Sequence, residues 1–255
     1  MKKLYTAAAI VCLLLSVLLV VKSLSTSGAP EKPALVRETT QAVADHTPEQ
    51  IQTPPEGRAN PVDFAALREL NEDIYAWLYI PGTDINHPIL QSVRGDNDYY
   101  LTHTVDRQED ENGCLFTEYL YSDRTFDVPV TVIYGHRRRS GDMFGQLQEL
   151  YAESGSLERY GEIIVYTPEK ELHYLVFGEC EFSDMHIPYH YRRFTDRSDV
   201  PVFIEDLKGF HTMTRQFDDA VEITADDRLL VLSTCLTGND DRRFLVVAKL
   251  IREIG

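Results

Sequence analysis

The run from Leu4 to Val21 carries eighteen residues without a charge, framed by Lys2-Lys3 before it and Lys22 after it. As a helix rising 1.5 Å per residue, it is about 27 Å long, close to the hydrocarbon thickness of a bilayer. The pattern predicts a transmembrane signal-anchor over residues 4–22, with residues 1–3 in the cytoplasm and the rest of the chain outside. A cleaved signal peptide shares the basic start and the apolar core, but its core is shorter and ends in a small-residue cleavage site. Ser23 to Ala29 supplies only a weak one, so the uncleaved anchor is the preferred reading. Cys12 falls inside the run as a lipid-facing residue.

Beyond Lys22 the apolar pattern stops. Residues 23–62 are rich in Ser, Thr, Glu and Gln, with Pro30, Pro33, Pro48, Pro54, Pro55 and Pro61 scattered among them. So little apolar surface cannot offset the entropy of ordering, which predicts a flexible extracellular stalk. From Asp63 the pattern returns. Phe64, Leu67, Leu70, Ile74 and Trp77 recur at helical spacing behind Asp63 as N-cap. Trp77 to Ile80 and Ile85 to Leu90 read as two strands about a Pro81-Gly82 turn. Further strands are expected at Cys114 to Phe116, Val128 to Tyr134, Ile163 to Tyr166, Leu172 to Glu181, Val221 to Thr224, Leu229 to Ser233 and Phe244 to Ile251. Helices are expected at Met143 to Tyr151 and Val202 to Thr214. Residues 63–255 thus form one mostly β domain with a few helices, large enough to bury a core.

Charge and cysteine usage narrow the function. A formal net charge of −16 excludes a nucleic-acid partner and a broad polybasic membrane surface. Arg137 to Arg139 and Arg192-Arg193 are local exceptions, read as solvated faces. Four cysteines are too few for a disulfide framework in an external domain; Cys114 and Cys180 read as structural thiols, and geometry alone decides whether they pair. No metal or nucleotide signature occurs: no paired CxxC, no HExxH, no phosphate-cradling glycine loop and no GxSxG elbow. The doublets Asp218-Asp219, Asp226-Asp227 and Asp240-Asp241 read as solvated loops.

Candidate chemistry gathers at two strand ends. Leu229 to Cys235 and Arg242 to Ala248 are apolar runs joined by a short polar connection containing Gly238, so Cys235 leaves one strand and Arg242 or Arg243 begins the next. A cation beside a thiol favours thiolate and can hold a developing oxyanion. A lone Cys after an apolar run is more often core than catalyst. The second strand end changes that balance: Val130 to Tyr134 runs through Gly135 to His136, a candidate acid and base.

These stretches carry a resemblance. Tyr134-Gly135-His136 followed by Ser140 to Gly145, then Leu232 to Cys235, then Arg243 to Lys249, resemble class B sortases, the membrane-anchored cysteine transpeptidases of Gram-positive bacteria. Trp77 to Thr83 and Asp96 to Leu101 add to the likeness, and the long segment between Glu181 and Val221 resembles the inserted helix of that class. The resemblance implies a sortase-type closed β-barrel with peripheral helices. It implies that Cys235 attacks the carbonyl after the threonine of a C-terminal sorting signal on a secreted protein, giving a thioester. His136 serves as general acid and base, Arg243 rather than Arg242 stabilises the oxyanion, and a peptidoglycan precursor amine (lipid II) resolves the thioester. By position, Asn97, Leu101, Tyr134, Tyr189 and Ser233 would line the sorting-signal groove. No cofactor is implied. Leu236 departs from the pattern, in which a polar or acidic residue often follows the nucleophile. A pilin-joining sortase with a lysine acceptor and a secreted cysteine peptidase remain alternatives.

Overall fold

A computed structural model describes residues 60–138, 141–212 and 215–255. The expected anchor and all but the end of the expected stalk lie outside them. Among the described residues, no helix is long and apolar enough to cross a membrane. Asn60 and Val62, at the end of that stretch, already contact the domain: Asn60 Nδ2 donates to the Thr167 carbonyl at 2.7 Å and Val62 is buried.

Helix α1 (Phe64–Leu70) starts where Asp63 accepts a hydrogen bond from the Ala66 amide, as its N-cap position predicts. It ends sooner than the helical spacing predicts. Asn71 takes an extended conformation, so Ile74 and Trp77 belong instead to strand β1 (Ile74–Tyr79), whose six residues are all buried. A turn with Gly82 at φ +77° leads into β2 (Asn86–Leu90); φ > 0 is where glycine carries no steric cost. A 3-10 turn (Tyr99–Leu101) precedes β3 (Leu115–Phe116) and β4 (Val130–Tyr134). Short helices α2 (Leu147–Tyr151) and α3 (Ser156–Arg159) follow. The expected helix from Met143 loses its first turn because Met143 has φ +51°, a left-handed conformation that no α-helix contains.

Strands β5 (Glu162–Tyr166) and β6 (Glu171–Ser183) form a hairpin, after which α4 (Ile187–His190), a 3-10 turn (Arg192–Phe194) and α5 (Asp199–Gly209) cross one face. Strand β7 (Arg215–Phe217) pairs with β6 at the sheet edge. The strand expected at Val221 to Thr224 is irregular; a turn there hydrogen-bonds the Thr224 amide to Asp227 Oδ2 at 2.7 Å. The chain ends in β8 (Leu229–Leu236) and the sixteen-residue β9 (Asn239–Ile254).

Strand order is β5-β1-β2-β3-β4-β8-β9-β6-β7, and β5 also pairs with β6. The eight strands from β5 to β6 therefore close into a barrel, and closure removes the free edges that an open sheet must protect. Along β8, Leu230, Leu232 and Leu236 point into the barrel, whereas Leu229 and Val231 point to the outer cluster beneath α5. On β9, Phe244, Val246 and Ala248 face inward and Leu245 and Val247 outward. That period of two, both faces apolar, is why these strands read as continuous hydrophobic runs. Leu236, expected in a loop after the nucleophile, is the last residue of β8 and part of the inner core.

Candidate active site

Strand parity places the candidate residues on one face. Ser233 and Cys235 share the outward parity of Leu229 and Val231, Tyr134 that of Val130 and Val132, and Arg243 that of Leu245 and Val247. Strands β4 and β8 run parallel, with Tyr134 opposite Ser233 as their last pair, and the Gly135 amide continues the ladder to the Ser233 carbonyl at 3.1 Å. His136 and Cys235 each lie two residues beyond that pair. On the other side of β8, Arg243 is the direct partner of Cys235. The thiol thus stands between the imidazole's strand and the arginine's.

Gly135 permits this approach, since a Cβ there would fall inside contact distance of the Leu115 and Phe144 side chains. Beyond Cys235 the β8–β9 register jumps, from Cys235 opposite Arg243 to Leu236 opposite Asn239, so Asp240, Asp241 and Arg242 bulge from the ladder. Arg243 Nη1 bonds back to the carbonyls of Asp240 and Arg242, at 2.6 and 3.0 Å. The carbonyls of the bulge therefore hold the guanidinium, which lines the same cleft as Cys235. Arg242 is not simply solvated, as expected: it stacks 5.3 Å over the Phe210 ring and lies 3.7 Å from the Glu181 carboxylate.

Cys235, His136 and Arg243 all line one cleft of about 220 Å³, together with Leu101, Tyr134 and Ser233. Asn97 and Tyr189, expected in the groove, do not line it. Asn97 caps the amide of Leu120 at 3.1 Å, one residue before the cleft-lining Asp98, and Tyr189 is 72% exposed on α4. Cys235 is partly exposed, unlike the buried free thiols of Cys114 and Cys180. Burial pushes the Cys114 thiol up to about 12 and that of Cys180 well above its ordinary range.

His136 Nε2 lies 2.7 Å from the carbonyl oxygen of Leu101. A carbonyl only accepts, so Nε2 bears the proton and Nδ1 is the nitrogen that exchanges one in the neutral ring.

The opposite wall holds groups that the sequence did not single out. His186 Nδ1 accepts the Tyr189 amide at 3.1 Å, which leaves Nε2–H to donate to Glu118 Oε1 at 2.9 Å. Glu118 Oε2 and the Tyr134 hydroxyl are buried along the cleft and face each other. Burial first, and the facing Glu118 carboxylate second, hold the Tyr134 phenol well above its ordinary pKa. Glu118 and His186 lie 68 residues apart in irregular segments, so no periodicity links them; only the Glu118 side chain's low exposure, 12%, marks it as more than a surface carboxylate.

Comparison with known proteins adds to this geometry. The sortase domain family matches residues 78–251. Sortase B of Listeria monocytogenes is 29% identical over 187 residues, covering 72% of each chain. Sortase B of Staphylococcus aureus is 26% identical over 191 residues, covering 74% of this chain and 75% of that one. A crystal structure of sortase B complexed with triglycine superposes with a TM-score of 0.62 at 26% identity, over 74% of this chain and 85% of that one.

Proposed function

The chain belongs to the sortase family and is a cysteine transpeptidase of class B, and on that premise we propose that Cys235, His136 and Arg243 are its catalytic residues. What carries the assignment is the shared face at the ends of β4, β8 and β9, where Cys235 stands between His136's strand and Arg243. The Cys235 thiolate adds to the carbonyl carbon of the threonine in a sorting signal. Arg243 donates to the oxyanion. The tetrahedral intermediate collapses to a thioester, the C–N bond breaks, and the leaving amine takes its proton from the His136 imidazolium. An incoming primary amine then attacks the thioester, His136 takes its proton back, and Cys235 leaves as thiolate. Atoms and charges balance without a cofactor.

Leu101, Tyr134 and Ser233 hold the sorting signal along the cleft. The substrates are secreted proteins, and the acceptor is an amine of a peptidoglycan precursor such as lipid II. The apolar run from Leu4 to Val21 anchors the chain with its catalytic domain outside the cell, where both substrates meet. The test incubates the full-length chain and its Cys235→Ala variant with a panel of sorting-signal peptides, with and without an amine, and reads products by mass spectrometry. Amide exchange that the variant lacks supports the reading. Hydrolysis indifferent to added amine, or turnover by Cys235→Ala, would sink it.

A further inference from the structure

The segment Asp96 to Leu101, matched to the family by sequence alone, contains the carbonyl that holds His136. We propose that Tyr100 is a positioning residue for the transpeptidation: it fixes the turn whose Leu101 carbonyl selects the His136 tautomer. This role rests on His136 being the acid and base.

The observations form a chain from the protein core to the imidazole. Tyr100 is 1% exposed, and its hydroxyl donates to Asp73 Oδ2 at 2.7 Å. The hydroxyl also accepts from Asn71 Nδ2 at 2.9 Å. Asn71 and Asp73 are both 2% exposed, and they link the end of α1 to the start of β1. Asp73 is balanced by Arg124 at 3.4 Å and Arg107 at 3.5 Å. Burial and the Asp73 carboxylate keep the Tyr100 phenol protonated far above its ordinary range, so the donor direction is fixed.

The main chain of the same turn is gripped as firmly. The Leu101 amide donates to the Asp98 carbonyl at 2.8 Å, and the Tyr100 carbonyl accepts from Cys114 at 2.9 Å. Gly113, at φ +51°, packs against the carbonyls of Tyr100 and Leu101 so closely that a Cβ would overlap both. These contacts fix the peptide that carries the Leu101 oxygen, which lies 2.7 Å from His136 Nε2. A buried network of this kind is conformationally stiff because each member leaves a costly orphan if it moves. It does for this histidine what a carboxylate does in a serine-protease triad: it sets which nitrogen carries the proton and where the ring points.

The test is nitrogen-15 NMR of histidine-labelled full-length chain, with His136→Gln to identify the signals, alongside peptide transpeptidation kinetics. Tyr100→Phe keeps the ring in its pocket and removes both hydrogen bonds. With this variant folded by its melting curve, the expected result is a His136 signal that moves from the Nε2–H form to a mixture of tautomers. In parallel, kcat falls roughly tenfold, within what small misplacements cost, and KM stays within about twofold. A purely structural role for Tyr100 would move neither the signal nor kcat at temperatures where the chain is folded, and that outcome overturns the proposal. If Tyr100→Phe does not fold, Asp73→Asn, which keeps an acceptor, must retain the tautomer that Asp73→Ala loses; equal spectra for the two overturn it equally. Full activity in His136→Gln overturns the acid-base reading itself, and then the rate effect predicted for Tyr100 falls with it while the tautomer signal still reports on the turn.

Discussion

Arg243 sits directly across the β8–β9 ladder from Cys235 and ties its own Nη1 to the carbonyls of Asp240 and Arg242. The arginine is therefore both a neighbour of the thiol and the fastener of the bulge beside it. Arg243→Lys keeps the charge but not the planar fork. Its kcat should fall roughly 10²- to 10³-fold, as on loss of an oxyanion donor, and Arg243→Ala should be no better. Arg242→Ala, which loses only the stacking on Phe210 and the ion pair with Glu181, should keep its kcat. Steady-state transpeptidation by the three variants decides between them, and equal loss for Arg242 and Arg243 would overturn the assignment.

Alkylation should be selective. Cys235 is partly exposed, whereas burial holds the thiols of Cys114 and Cys180 in their neutral, unreactive form. Peptide mapping after brief treatment of the native chain with iodoacetamide should find the adduct on Cys235 and none on the other two until denaturant is added.

Glu118 raises the pKa of Tyr134 across the cleft wall, after the larger effect of burial. Glu118→Gln removes the charge and keeps the shape, so the Tyr134 phenol should titrate at lower pH than in the parent chain. Carbon-13 NMR of labelled tyrosine, read against Tyr134→Phe, measures the shift; an unchanged or higher titration would contradict the placement of the carboxylate.

His173 joins β5, β6 and β9 where the barrel closes. Its Nδ1 meets Glu162 at 2.6 Å and its Nε2 meets Glu171 at 2.7 Å, with Arg252 nearby at 3.0 Å. Burial alone would lower its pKa, but the two carboxylates outweigh it and the net shift is upward, while Glu162 is lowered, first by its hydrogen bond to His173. The histidine's contribution is fully present below its unfolded pKa of about 6.5 and is lost as pH rises through the raised folded value; that of Glu162 is present above about 4.3 and is lost as pH falls through the depressed one. Urea midpoints should thus fall as pH rises above about 6.5 in the parent chain and much less in His173→Gln. Parallel pH profiles for the two would refute the pairing.

Gly135→Ala places a methyl against Leu115 and Phe144 one residue before His136. Overpacking of this kind costs about 1–3 kcal/mol. Thermal melts should show that loss, and kcat should fall further than stability alone explains, because the strand end that carries the imidazole must shift.

The sequence made legible what repeats along a strand. Leu229 to Ser233 and the Phe244 to Ala248 part of the last strand read as strands because both of their faces are buried, and Cys235 and His136 stood out at the ends of such runs. Local irregularity was less visible. Asn71 ends α1 because its side chain bonds to Val105 and Tyr100, partners that no helical periodicity contains. The three-residue bulge that aims Arg243 is a mismatch between two strands and is written in neither. The Glu118–His186 pair joins two irregular segments, and only the closed fold brings them together.

The parallel pairing of β4 with β8 has a consequence for the order of assembly. A parallel neighbour cannot be reached by a hairpin, so β4 waits beside an empty place while β5, β6, α5 and β7 are made, and the last two strands of the chain fill it. Such long-range pairings form late. On a ribosome the histidine emerges well before the cysteine and arginine, and a chain stopped short of β8 holds the histidine alone. The nucleophile becomes competent only when the barrel is complete, while a chain stopped short of β8 exposes the bare edges of β4 and β6 and is a target for aggregation rather than a premature enzyme.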